Sequence, residues 1–282
     1  MRNLAVPEIE VTTVYDACVS GIGAADKRAR FNSYRPQIAA LSSEYIQRAN
    51  TSRIYEFQPW TEDSKTGVPV SKKELKKLYV EQMAKLGRPG RPSYETLKMT
   101  TRLCPFCGIS SVRTLEHHLP KAHYPDFSIT PYNLIPCCRD CNTEKRDALI
   151  RTAEEQKLHP YFDVVMNLRW LYADIVIDGG DFIAVYRTAA PDDQPVSIKL
   201  KIDSHLVTYD LGDRYSDLAN GEIESLKIEM LEVYQSGGPD TVRRQLLERA
   251  ESSAGYQLNH WKVALYEALA NSDAYCSGQF LR

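Results

Sequence analysis

The sequence predicts an α+β fold in three parts: a mainly helical N-terminal region (1–100), a small module (101–150), and an acidic α+β C-terminal region (151–282). Three observations support this reading. Apolar residues recur at helical spacing before residue 100. Two C-x2-C pairs, Cys104/Cys107 and Cys138/Cys141, bracket the middle. Alternating apolar residues and then helical stripes fill the last part.

In the first region Val14, Cys18, Ile38, Leu41, Tyr45 and Ile46 keep helical spacing, with Gly21 and Gly23 interrupting the first run. Ser71-Lys72-Lys73-Glu74 has the form of a capping box, and the helix it opens is expected to run to Leu86, before Gly87. Gly87-Arg88-Pro89-Gly90-Arg91-Pro92 reads as an extended basic loop. Its alternatives are a solvated linker and an arm whose Arg88 and Arg91 contact nucleic acid. Ten Lys+Arg against three Glu between Lys65 and Arg102 suit a phosphate-facing surface, although a lysine-rich helix is also an ordinary solvated face.

Four thiolates in two C-x2-C pairs are the ligand set of a structural tetrahedral Zn2+. A module this small buries too little surface to hold itself together, whereas zinc contributes on the order of 10–16 kcal/mol to such folds. Cys137 competes with Cys138 for ligand duty; the two-residue spacing to Cys141 favours Cys138 and leaves Cys137 as a spare thiol. Cys18 and Cys276 stand alone and read as buried or idle thiols. Cysteines so arranged argue for metal rather than disulfides. With no run long enough to span a membrane and no apolar signal core near Met1, a cytoplasmic location without membrane partners is expected.

In the C-terminal region Leu171, Ala173, Ile175 and Ile177 alternate, Gly179-Gly180 makes a turn, and 182–188 form a second strand. Val196, Ile198, Leu200 and Ile202 then alternate with Ser197, Lys199, Lys201 and Asp203, which predicts a third strand and an antiparallel meander with one wet face. Ile223, Leu226, Met230, Val233 and Tyr234 form a helical stripe ended by Gly237-Gly238-Pro239. Two further stripes begin at Val242 and Trp261. Residues 1–150 hold 22 Lys+Arg against 16 Asp+Glu, and 151–282 hold 13 against 21. This balance excludes a globally basic nucleic-acid binder but leaves room for a basic face in the first half. The acidic half is better suited to binding protein.

Between the cysteine pairs lies Leu115-Glu116-His117-His118-Leu119-Pro120-Lys121. A carboxylate and an imidazole inside a metal-closed loop suit metal-assisted phosphodiester hydrolysis. Histidine, with an ordinary pKa of about 6.5, can take a proton from water at neutral pH, and a carboxylate can hold a hard cation that keeps open positions.

Taken in order, Cys-x2-Cys-Gly, Leu115–Lys121, Asn133-Leu134-Ile135-Pro136 and Cys138-Arg-Asp-Cys-Asn-Thr-Glu-Lys145 resemble the zinc-bearing HNH nucleases with a ββα-metal fold. The resemblance implies that Glu116 and Asn142 are ligands of a catalytic Mg2+ or Mn2+. It also implies that His117 is the general base, that Asn133 braces the loop carrying it, and that Lys145 orients the helix or contacts a phosphate. The family most often has Asp before its histidine. The longer Glu116 is expected to shift metal preference towards Mn2+ or to slow the reaction, while Asn142 in place of His is a familiar variation. DNA is the implied substrate, and stand-alone bacterial proteins of this layout resemble anti-phage effectors licensed by a partner such as an ATPase. Two rivals remain: a catalytically silent zinc-dependent DNA-binding adaptor, and an RNA-directed nuclease. His118, on the opposite face of a strand, is expected to be packed, His123 to be a solvated loop residue and His159 to be structural; His205 and His260 have no assigned partner.

Overall fold

The computed structural model describes residues 1–61 and 67–281. Lys65, counted above among the basic residues, lies outside the described residues. The protein is mixed α+β, and it divides into two compact units, Arg2–Val164 and Val165–Arg282, the latter joined by Met1.

In the Arg2–Val164 unit, α1 (Val11–Ser20) and α2 (Ala25–Asn50) are followed by α3 (Lys72–Lys77). The capping box is present: Ser71 N–H donates to Glu74 Oε2 at 2.9 Å and Glu74 N–H to Ser71 Oγ at 3.3 Å. The helix expected to continue to Leu86 instead widens into π-helical turns over Leu78–Ala84. Leu78 and Met83, five residues apart, are both buried there, a spacing that π-turns align and α-turns do not. The loop 87–92 is not extended. Gly90 N–H donates to Gln82 O at 3.0 Å, and α4 (Arg91–Lys98) starts at once, with Pro92 in its first turn. Only glycine fits this return, since a Cβ at Gly90 would stand 2.5 Å from Cys18 Sγ and 2.7 Å from Gln82 O.

Next come β1 (Thr114–His117), β2 (Leu134–Cys137) and α5 (Arg139–Lys145). The strands pair antiparallel, with Glu116 opposite Ile135 and His117 opposite Leu134. Leu115, Ile129 and Leu134 complete a core formed with Val14, Phe31, Leu75 and Leu97 of the four helices. A second cluster joins Tyr45 and Phe57 to Leu119, Tyr124 and Phe127. Residues 1–100 and 101–150, expected as separate regions, therefore share one unit, because the helices supply the apolar cover that the short strands lack.

The other unit holds β3 (Leu171–Asp178) and β4 (Asp181–Thr188), paired antiparallel from Leu171–Thr188 to Asp178–Asp181 around Gly179-Gly180. The third strand expected at 196–203 is a helix, α6 (Val196–Thr208), so the meander is a hairpin. The alternation there is short, and burial follows a longer period: Lys201, Ile202, His205 and Tyr209 face inward, one helical face continued past the apparent strand. Tertiary packing outweighs a brief period-2 pattern. α7 (Leu211–Tyr256) is broken at Gly238, whose φ of 70° is non-helical and precedes Pro239. α8 (Trp261–Asn271) and α9 (Asp273–Cys276) close the unit. Among the described residues no helix is long and apolar enough to cross a membrane.

Candidate metal centre and catalytic cleft

The Sγ atoms of Cys104, Cys107, Cys138 and Cys141 lie within 4.8 Å of one another, and all four residues are buried. Cys107 and Cys138 Sγ are 3.8 Å apart. A tetrahedron of Zn–S bonds of about 2.3 Å has edges of about 3.8 Å, whereas a disulfide closes to about 2 Å. The four thiols thus fit a metal such as zinc, and the cysteines are free of disulfides. Local structure places them: Cys104 N–H donates to Ser110 O at 2.9 Å and Gly108 N–H to Cys104 O at 2.8 Å, which turns the first pair back on itself. Cys138 caps α5, its sulfur accepting Cys141 N–H at 3.4 Å. Cys137 is buried on β2 and stands outside the cluster.

Glu116 and His117 follow each other on β1, and both are buried. Glu116 Oε1 accepts from Lys145 Nζ at 3.0 Å, while Asn142 Nδ2 donates to Oε2. Asn142 and Lys145 reach one carboxylate because residues three apart share a helix face. Lys145 Nζ also donates to His117 O at 2.7 Å, so this lysine is spent inside the unit rather than at its surface. Burial pushes the Glu116 carboxyl above its ordinary range, against the pull of the Lys145 ammonium.

His117 Nε2 is 2.9 Å from Ser128 O. A carbonyl only accepts, so the proton sits on Nε2 and Nδ1 remains the acceptor of the neutral ring. Burial, followed by the Lys121 charge, lowers the His117 pKa to about 3 despite the Ser128 bond. The ring stands 4.5 Å from that of Tyr79, at 74°. Asn133, fully buried, fixes the segment behind it. Its Oδ1 accepts from Leu119 N–H at 2.6 Å and Tyr45 OH at 3.2 Å, and its Nδ2 donates to Leu119 O and Phe127 O, both at 3.1 Å. Ser128 Oγ then donates to Leu75 O at 3.0 Å, which ties the segment to α3.

Tyr79, Tyr94, Glu116, His117, Lys121 and Asn142 line a cleft of about 550 Å³. Thr114, Arg146 and Asp147 also line it. Sequence reasoning assigned no role to Tyr79, Tyr94 or Ser128. Tyr79 fell within the helix expected from Ser71 to Leu86, which does not say which side chains meet β1, and nothing in the sequence marked Tyr94 or Ser128. Lys121 stood inside the Leu115–Lys121 run but was given no role of its own.

The remaining expected positions fall elsewhere. Arg88 Nε donates to Glu81 O at 3.1 Å. Arg91 is bound to Ala84 O and Glu95 and lies over the Tyr94 ring at 4.3 Å. Both are engaged within the chain. His118 is buried with its ring 4.1 Å from that of His159 and is not among the residues that line the cleft. His123 Nε2 approaches Asp147 O at 3.0 Å. In the other unit His205 packs edge-on to Tyr209, and His260 caps α8 by accepting Lys262 N–H at 3.3 Å.

The chain is similar to protein ea31 of Escherichia phage lambda, with 26% identity over 296 residues that cover 99% of this chain and 100% of that one. No family model matches the chain, and no solved structure matches it.

Proposed function

We propose that the Arg2–Val164 unit is a zinc-stapled endonuclease of the HNH type that hydrolyses DNA phosphodiester bonds with His117 as general base. The observation that carries this reading is the meeting, in one cleft, of a neutral imidazole with a defined proton acceptor and a carboxylate–amide pair. The chain order β1, β2, α5 beside the four-cysteine cluster supports the ββα-metal assignment.

Glu116 and Asn142 are the residues that would hold Mg2+ or Mn2+, which when bound supplies Lewis-acid stabilisation of charge on the phosphate oxygens. The chain's own groups do the rest. Ser128 O holds the imidazole so that Nδ1 takes the proton of the attacking water. The depressed pKa keeps His117 unprotonated at neutral pH, and a phosphate anion in the cleft raises its basicity as the reaction begins. Lys121, which also lines the cleft, offers a positive charge to the same phosphate. Tyr79 blocks rotation of the base, and Asn133 keeps Ser128 in place.

The test is incubation with supercoiled plasmid and with RNA, under Mg2+, Mn2+ or EDTA, beside His117→Ala. The expected result is metal-dependent nicking or linearisation that His117→Ala slows by roughly 10²–10⁴-fold. Cleavage of RNA alone moves the substrate. Intact DNA and RNA in every lane, with DNA still bound, would replace the nuclease by the silent zinc-dependent binding protein.

A further inference from the structure

The sequence pointed to Arg88 and Arg91 for nucleic-acid contact, and both are engaged internally. A different set of cations stands open to a ligand. A groove of about 530 Å³ is lined by Lys98, Met99, Thr101, Arg102, Ser111 and Arg113, together with Val112. Three of these side chains are cations and none is a carboxylate. Arg102 and Arg113 are exposed, and among the described residues neither makes an ion pair with a carboxylate. Lys98 is held by Glu95 at 2.7 Å.

The groove adjoins the cleft through two elements. Tyr94 of the cleft and Lys98 of the groove lie one turn apart on the same face of α4, with Lys98 Nζ 5.7 Å from the Tyr94 ring centre. Thr114 of the cleft directly follows Arg113 of the groove, and its Oγ1 is 3.5 Å from Tyr94 OH. The two arginines also stand on paired limbs of one ribbon. Val112 N–H donates to Arg102 O at 2.9 Å, Leu103 bridges Ser111, and Arg113 N–H donates to Cys137 O at 2.8 Å. The turn between the limbs carries Cys104 and Cys107, so the four-cysteine cluster holds the guanidinium-bearing backbone in place before any ligand arrives.

We infer that this groove carries the phosphodiester backbone flanking the scissile bond, with Arg102 and Arg113 meeting its phosphates; the inference rests on the nuclease reading for the cleft. Guanidinium forks match phosphate geometry, and exposed Met99 offers an apolar contact to the sugars between them. Placement beside the cleft is what favours a continuous nucleic-acid strand over a separate small anion.

The experiment is equilibrium binding of a short DNA duplex, and of RNA of the same sequence, across a salt series without added Mg2+ or Mn2+. Wild type is compared with Arg102→Ala/Arg113→Ala, and zinc content and thermal melting serve as folding controls. The expected result is at least a roughly tenfold loss of affinity near 0.1 M salt, with the slope of log K against log salt flattened by about two. Loss confined to RNA keeps the groove as a backbone track and moves the substrate. Unchanged affinity and slope for both nucleic acids in the folded variant would overturn the inference. Because binding is read without cleavage, a wild type that cuts nothing removes the nuclease reading alone.

Discussion

β1–β2 pairs four residues per strand, whereas β3–β4 pairs eight. Every residue of the two short strands except Thr114 is buried, and polar groups sit among the apolar ones: Leu115 and Leu134 join the helical core, with Glu116 and His117 on β1, Asn133 at the foot of β2 and Lys145 behind. The second hairpin alternates. Ala173, Phe182, Ala184 and Tyr186 face inward, while Asp174, Val176, Val185 and Arg187 face solvent. Phe182 packs on Tyr275 at 5.2 Å, and Tyr186 donates to Trp261 O at 3.1 Å. A two-stranded sheet is marginal alone, so each hairpin needs outside support. The longer one gains it from apolar burial against helices. The shorter one shares that apolar support through Leu115 and Leu134, but it gives part of its interior to hydrogen-bonded polar groups and lies beside four thiols that could hold a metal.

Metal removal is expected to separate the two most strongly. Structural zinc contributes on the order of 10–16 kcal/mol to small modules. Stripping it, or replacing Cys104 and Cys138 together by Ser, is expected to abolish amide-exchange protection over 114–117 and 134–137 and to leave 171–188 protected. Equal loss in both hairpins, measured by hydrogen exchange, would remove the distinction.

Next come two substitutions of similar stability cost and different consequence. Phe182→Ala deletes an apolar anchor and is expected to cost about 4 kcal/mol. Asn133→Ala strands Leu119 N–H, Leu119 O and Phe127 O in the interior, at about 3 kcal/mol. Plasmid cleavage, assayed where both variants remain folded, is expected to survive Phe182→Ala and to be lost in Asn133→Ala, because Ser128 and with it His117 are no longer held. Cleavage retained by Asn133→Ala would make that residue a strut for stability alone.

Legibility in the sequence followed the range of the forces involved. The cysteine pairs were readable because each knuckle is set by backbone turns only a few residues long. Glu116 and Asn142 were singled out by a resemblance, and their convergence follows from one hairpin register and one helix face. Tyr79 was not readable, since its approach to His117 depends on π-turns that register only against a packed core. Arg91 looked free for a similar reason: Ala84, its acceptor, reaches it only after the chain folds back at Gly90. The strand misread at 196–203 shows the limit of an eight-residue alternation, which Ile198 and Ile202 satisfy equally well on one helix face.

The smallest effects test surface charge. Arg30 pairs with Glu74 at 2.7 Å where Glu74 also closes the capping box of α3, the helix that leads to Tyr79. On the other hairpin Arg187 pairs with Asp174 at 2.5 Å, with both side chains about half exposed. Lone exposed pairs contribute little, so Asp174→Asn is expected to stay within about 0.5 kcal/mol of wild type. Glu74→Gln weakens the cap as well as the pair, and solvent screening holds its cost near about 1 kcal/mol. The Arg30 bond lowers the Glu74 pKa to about 2. Between that value and the ordinary carboxylate range of about 4.3 the unfolded chain binds the extra proton, so the contribution is complete above that range and fades as pH falls towards 2. Urea unfolding of Glu74→Gln and wild type is therefore expected to show its full gap at pH 7 and a narrowed one at pH 3. A gap that does not change with pH would assign the whole effect to the shape of the cap and none to charge.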